Sequence, residues 1–365
     1  MDEISEYLET LNMGPMQQHR NMSVLPLLGK DSRLEYLVLD EAVKQGLVIK
    51  ETRTVAEVYA ENGTGKNVLL LIGEYLVGGW QNRMMATNAY LAKNFKGSIP
   101  ARCVQQHRWS VTPGFFADAE PYGSERSSEL FSTSERRVSP SVMMAASLGS
   151  QGDVWNQVNC LMESTGAKSD THNIGDIYDI KKKDISEYVK GFDYAPGCVG
   201  MIIGTPNGDG SKRYSIELFD RKGTMRKQFG KLIESYALEA VAGNKELVCR
   251  RQDLAGFLKD VKAELAGKEC SIESREPVSL GKDLAISGED FEGLSLVYKG
   301  IPVYTNFCSD KYKQAPYDWP GHPIRRFPLP NPFPRPWEPE RPDFPPYTIP
   351  YDPSDPDHIT TRWED

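Results

Sequence analysis

The stretch NVLLLIGEYLVGGWQNR, residues 67–83, decides how the N-terminal half is read. Its apolar run, VLLLI, has the length and composition of a buried strand. The chain then delivers Glu74, adjacent Gly78 and Gly79, Trp80, two amides (Gln81 and Asn82) and Arg83. The run is expected to form one buried strand that ends in a tight turn. A turn needs about one residue of positive φ and none of that polar chemistry. The polar residues therefore either brace the turn or wall a site.

Strand signals surround this stretch. NMSVLPLLG (21–29), TVAEVYAEN (54–62), RMMATNAYLAK (83–93) and SIPARCV (98–104) read as strands, and 35–51 as strand, short helix and strand, with Gly46 closing the helix. Many short strands ahead of any long helix point to a β-sandwich or open barrel over 21–110. Residues 110–137, rich in Ser, Glu and Arg, read as an exposed loop. Pro140 suits the first turn of a helix, and a second helix is expected at 182–192. CVGMIIG and RYSIELFD flank NGDG as a hairpin. Residues 224–243 form a long amphipathic helix with Phe229, Leu232, Ile233, Tyr236 and Ala237 on one face. A further helix is expected near 253–266, and 294–307 is β-rich. The fold class is α+β: an N-terminal sandwich or open barrel, then helices packed on a second β-rich segment over 138–310.

Fifteen of the chain's 25 prolines lie between 316 and 356. Proline lacks an N–H and fixes φ, so 311–365 reads as an extended tail. Its aromatic residues suit either a strap across the body or a ligand for a proline-recognition partner.

The 365 residues carry a formal charge of −8. A net acidic chain argues against general nucleic-acid binding. The N-terminus has no basic-then-apolar signal pattern, and no apolar run reaches the length of a membrane span, so no membrane partner and a cytoplasmic location are expected. The six cysteines form no CxxC pair and read as reduced, mostly buried thiols; no metal or other cofactor is identified.

ENGTGKN (61–67) resembles a phosphate loop only superficially. Ala60 stands where the first glycine belongs and Asn67 where Ser or Thr belongs. It reads as a hairpin turn. CVQQHRW (103–109) ends a second apolar strand with Gln105, His107, Arg108 and Trp109, and two such strand ends meeting at one sheet rim would make a recognition unit for a nucleotide-like ligand. SQGDVWNQV (150–158), with Gln151 and Trp155, opens a helix, as an N-cap or an anion site. KSDTHN (168–173) is a loop carrying Ser169 and Thr171.

Taken together, GE-x-L-x-G-x-x-QNR at 73–83, IPARCVQQHRW, QGDVWNQV, KSDTHN and the block from CVGMIIG to IESYALEA resemble the ARPP type-1 domain over about 15–310. The name denotes an ADP-ribosylglycohydrolase and rhodanese-phosphatase associated protein. The resemblance implies an association with NAD and ADP-ribose processing enzymes. It carries Glu74, Gln81, Asn82, Arg83, Gln105, Arg108, Trp109, Gln151, Trp155, Ser169 and Thr171 over as site positions. Gln105 departs from the family pattern, where a glutamate stands, so Glu74 remains as the motif's carboxylate and a paired-carboxylate mechanism is weakened.

The expected function is binding or processing of an ADP-ribose or NAD-derived ligand. Arg83 and Arg108 would hold phosphate, Trp80 or Trp109 would stack on a base, and Glu74 would contact ribose or act as acid and base. As an enzyme it would be a hydrolase or transferase. The alternative is a non-catalytic scaffold whose polar turns are structural and whose tail recruits a partner.

Overall fold

The computed structural model describes residues 2–52, 54–108, 130–207, 210–243 and 245–309. The proline-rich tail expected at 311–365 and most of the loop expected at 110–137 lie outside the described residues.

Helix α1 (Asp2–Glu9) precedes β1 (Asn12–Met13), β2 (Gln17–His19) and β3 (Met22–Leu28). β4 (Leu37–Val38) runs into α2 (Leu39–Lys44) and β5 (Leu47–Glu51). Seven strands follow: β6 (Glu57–Asn62), β7 (Val68–Leu70), β8 (Glu74–Gly78), β9 (Arg83–Met85), β10 (Ala89–Leu91), β11 (Lys96–Cys103) and β12 (Phe131–Arg137). Helices α3 (Pro140–Leu148), α4 (Gln151–Thr165), α5 (Ile174–Ile180) and α6 (Lys182–Val189) lead to the hairpin β13 (Cys198–Pro206) and β14 (Lys212–Phe219). α7 (Lys222–Ala242) and α8 (Arg251–Gly267) come before β15 (Ser271–Arg275), β16 (Lys282–Ser287), β17 (Glu292–Tyr298) and β18 (Ile301–Cys308).

Among the described residues, the strands sort into three sheets. The order β12-β8-β9-β11-β6-β5 makes a six-stranded sheet, and an antiparallel bridge between Lys50 and Leu130 draws its two edges together into a nearly closed barrel. Pairing both edge strands removes the exposed N–H and C=O groups of an open edge. Alternation along β5 and β6 sends Leu47, Ile49, Val58 and Ala60 into one apolar core with Leu76, Met85 and Ile99. The small sheet β10-β7-β4 shares that core through Leu70, Leu91 and Leu37.

The largest sheet runs β1-β3-β13-β14-β18-β17-β16-β15, with β2 also on β3, and every pairing in it is antiparallel. Both of its faces are covered. In β13, Met201 and Ile203 join the core that includes Leu232, Ile233 and Tyr236 of α7. Val199 and Ile202 join the core on the other side, with Ile4 and Leu8 of α1 and Leu258 and Val261 of α8. Strand alternation, reset by a register shift between Cys198 and Gly200, thus feeds two helical layers.

The α+β class stands, and local readings changed in several places. The segment 83–93, expected as one strand, is two: β9 in the barrel and β10 in the small sheet. The apolar run is two strands, not one. It breaks at Gly73 (φ 82°), so that β7 pairs with β10 and β4 while β8 enters the barrel. ENGTGKN is a turn, with Thr64 N donating to Asn62 Oδ1 at 3.1 Å, but β6 and β7 belong to different sheets and form no hairpin. The Asn62 amide explains this, since it also donates to Ala92 O at 2.8 Å and ties the turn to the end of β10. Residues 131–137, expected as loop, form β12, with partners on β8 to satisfy their backbone. Helix α5 was not expected.

A buried ion pair joins barrel to central sheet. Arg137 at the end of β12 donates to Glu217 of β14 at 3.0 Å and to Tyr304 of β18 at 2.6 Å, and Tyr236 of α7 donates to Glu217 at 2.9 Å. All six cysteines are free, five of them buried. Among the described residues, no helix is long and apolar enough to cross a membrane.

Candidate functional site

β8 carries the opening motif, and its two ends differ. At the C-terminal end the chain turns through Gly78 (φ 125°) and Gly79 (φ 52°). Both glycines are required. A Cβ on Gly78 would stand 2.7 Å from Leu130 O, and one on Gly79 would stand 2.5 Å from the Phe131 ring and 2.7 Å from Glu51 Oε2. Such separations are below van der Waals contact, and L-residues disfavour that backbone region.

Glu51 anchors the turn. Its carboxylate accepts from Trp80 N at 3.1 Å and from Arg83 Nη2 at 2.8 Å, and both side chains of the pair are wholly shielded from solvent. Arg83 also donates to Val55 O at 2.8 Å. Its charge is consumed inside the barrel.

The second strand end does meet the turn. Arg108 donates through Nε to Gln105 Oε1 (2.7 Å), through Nη1 to Gly79 O (3.1 Å), and through Nη2 to Gly78 O (3.2 Å) and Asn82 Oδ1 (3.1 Å). Asn82 in turn donates to Tyr75 Oη at 2.8 Å, and Gln81 donates to Gln106 O at 3.4 Å. The other two motifs join the same cluster. Gln151, the first residue of α4, accepts from Cys103 N at 2.9 Å and donates to Cys103 O at 2.7 Å, so its amide continues β11 as a strand partner would. Gln105 donates to Thr171 Oγ1 at 2.9 Å, and Gln106 N and His107 N donate to Thr171 O. Ser169 Oγ donates to Asp176 and accepts from Asn173 N at 3.0 Å. Trp155 lies one turn beyond Gln151 on α4 and is partly buried. Ser169 and Thr171 also line a shallow hollow of about 500 Å³ with Asp170, Asp176 and Asp179. Trp109 lies outside the described residues.

The N-terminal end of β8 faces elsewhere. Glu74 is fully buried; Oε2 accepts from Leu71 N at 2.9 Å, and Oε1 stands 3.7 Å from Lys231 Nζ of α7. The same ammonium pairs with Asp40 at the start of α2, whose other oxygen accepts from Thr133 Oγ1 at 2.6 Å. One lysine thus serves two carboxylates. Burial pushes the Glu74 carboxyl up to about 7, against the opposing pull of Lys231.

Lys231 and Asp40 belong to the wall of a cavity of about 700 Å³ between α2, β12, α6 and α7. Six cations line it: Lys44, Arg136, Lys182, Lys190, Lys227 and Lys231. Four carboxylates, of Asp40, Glu41, Glu135 and Glu234, leave an excess of two positive charges in a chain whose net charge is −8. Several of these charges are paired, Lys227 with Glu41 at 2.6 Å and Lys44 with Glu135 at 3.3 Å, and these pairs are partly exposed and exchangeable. Val38, Ile185 and Val189 add an apolar wall.

The structure therefore gathers Gln81, Asn82, Gln105, Arg108, Gln151 and Thr171 into one network, and sets Glu74 apart from them, at the other end of a five-residue strand. Sequence reasoning missed Lys231 and Asp40. A lysine on an amphipathic helix is ordinarily solvated. The only signal of Lys231 was its place between Gln228 and Ser235, which share its buried side of α7. Among the described residues, no group of three or more His, Cys, Asp and Glu is placed to hold a metal ion.

An α+β chain with a nearly closed barrel set against a helix-covered antiparallel sheet, and a lysine-lined cavity beside the barrel, is the class these observations define. The chain belongs to the ARPP-1 family, the ARG and Rhodanese-Phosphatase-superfamily-associated Protein domain, whose family model matches residues 10–308. No curated protein and no solved structure matches it.

Proposed function

We propose that this ARPP-1 protein binds a nucleotide-derived anionic ligand, of the ADP-ribose or NAD type, in the cavity bounded by α2, β12, α6 and α7. One observation carries the reading: a cavity of about 700 Å³ with excess positive charge has Lys231 in its wall, backed by Glu74 from the family's most specific motif. The volume lies in the range of small-molecule pockets. A cluster of cations beside an apolar wall suits a phosphorylated ligand with a flat base. The association of the family with ADP-ribose and NAD processing supports the ligand class. Glu74 is shielded behind Lys231, so it acts through the lysine and not on the ligand. Free cysteines suit a cytoplasmic setting.

The turn and strand-end residues take the structural role in this reading. Nε, Nη1 and Nη2 of Arg108 are all spent on protein acceptors, and Arg83 on Glu51. That observation also favours the second reading, in which the chain is a scaffold without a small-molecule ligand.

Isothermal titration of the full chain with ADP-ribose and with NAD separates the two. The first reading expects saturable heat with at least one of them, a loss of affinity of about tenfold in Lys231→Met, and an unchanged Kd in Arg108→Ala. No heat at millimolar ligand would favour the scaffold.

A further inference from the structure

We propose that Glu74 is a positioning residue that takes up a proton when an anion enters the cavity, releasing Lys231 from one of its two carboxylates to face the ligand. The inference rests on the binding reading above and deepens it.

The geometry supports it from each element packed on Glu74. From α7, Lys231 stands 3.7 Å from Oε1; from α2, Asp40 faces the same ammonium; from β12, Arg137 adds positive charge. Arg137 is held by Glu217 at 3.0 Å, so its contribution stays constant. The backbone N–H of Leu71 holds only Oε2, and Oε1 has no hydrogen-bond partner among the described atoms. That oxygen is where a proton would reside.

With Glu74 ionised, the lysine and its two carboxylates carry one net negative charge, facing a ligand that is itself negative. With Glu74 protonated, the triad is neutral and the positive excess of the cavity wall is undiminished. An anion therefore favours the protonated form. The proton comes from solvent and rests on Oε1; no bond to the ligand is made or broken. Burial places this titration at about 7, where both forms are populated at neutral pH.

The affinity then follows the protonated fraction. For a group titrating near neutrality, Kd for ADP-ribose rises about tenfold between pH 6 and pH 8. The diphosphate of that probe does not titrate in this range, so the change belongs to the protein.

The experiment is titration of ADP-ribose into the full chain at pH 7.5, in two buffers of different ionisation enthalpy, with Glu74→Gln as second protein. The expected result is uptake of most of one proton per ligand by the parent chain and none by Glu74→Gln, which binds with a Kd independent of pH. Binding without proton uptake, or equal uptake by both proteins, would overturn the inference and leave the cavity reading intact. No heat in either buffer would overturn both. Should Glu74→Gln fail to fold, the buffer dependence of the parent chain, with its Kd at pH 6 and 8, decides alone.

Discussion

The two ends of β8 come from one motif and are built to different rules. At the Gly78 end, charge is closed: Arg83 meets Glu51 with no solvent access, and Arg108 fills its donors with two carbonyls, Asn82 and Gln105. At the Glu74 end, charge is left open: one ammonium is divided between two carboxylates beside a cavity. A closed buried network gives rigidity and offers a ligand nothing. An unevenly balanced one can be rebalanced by a ligand. Dense polar sequence therefore marked the frame, and the sparser end of the same strand faces the candidate site.

The sharpest way to break this comparison is to open the closed end. Arg83→Met leaves Glu51 buried without its partner and should cost about 3–5 kcal/mol, read by urea unfolding. A loss under about 1 kcal/mol would mean that the pair is not the anchor assigned to it.

Gly79→Ala should come next. Its Cβ meets Phe131 and Glu51 in a left-handed backbone (φ 52°), and about 1–3 kcal/mol should be lost. Thermal unfolding would show it, with Gly65→Ala as control, where a Cβ meets no atom within 4 Å in the same backbone region.

At the open end the effects should be smaller than for Arg83→Met and should depend on pH. The Glu74 carboxyl is raised from 4.5 to about 7, so its folded-state stability is fully present below about pH 4.5 and is lost as pH rises through 7. Glu74→Gln should remove that decline and gain roughly 2.5 kcal/mol on the parent chain at pH 8 relative to pH 5. Asp220, also raised by burial, to about 6, keeps its own decline in both proteins, so the difference between the two curves isolates Glu74. Parallel curves would contradict the buried carboxyl.

Lys227→Ala should change least in stability, within about 0.5 kcal/mol, because its pair with Glu41 is half exposed. It should nonetheless weaken ADP-ribose binding several-fold. A stability loss without an affinity loss would reverse the roles assigned to the two ends.

The difference between the ends also sets what was legible in sequence. Strand alternation at 47–51 and 57–62, the NGDG hairpin and the apolar face of α7 are local patterns, and they were readable. The break at Gly73 was not, because an apolar run looks the same whether it serves one buried sheet or two. Convergence of the 103–108 strand end on the turn was a guess from repeated chemistry; the register of β11 on β9, Cys103 opposite Arg83, is what brings it about. The Glu74–Lys231–Asp40 triad joins residues from β8, α7 and α2, and no spacing along the chain marks it.

The central claim, that a ligand belongs at the Glu74 end, is tested most directly by crystals of the full chain grown or soaked with ADP-ribose. The account predicts ordered density in the cavity beside Lys231 and Lys227, with the Arg108 contacts to Gly78, Gly79 and Asn82 unchanged. Density stacked on Trp80 with Arg108 swung from those carbonyls onto phosphate would contradict it.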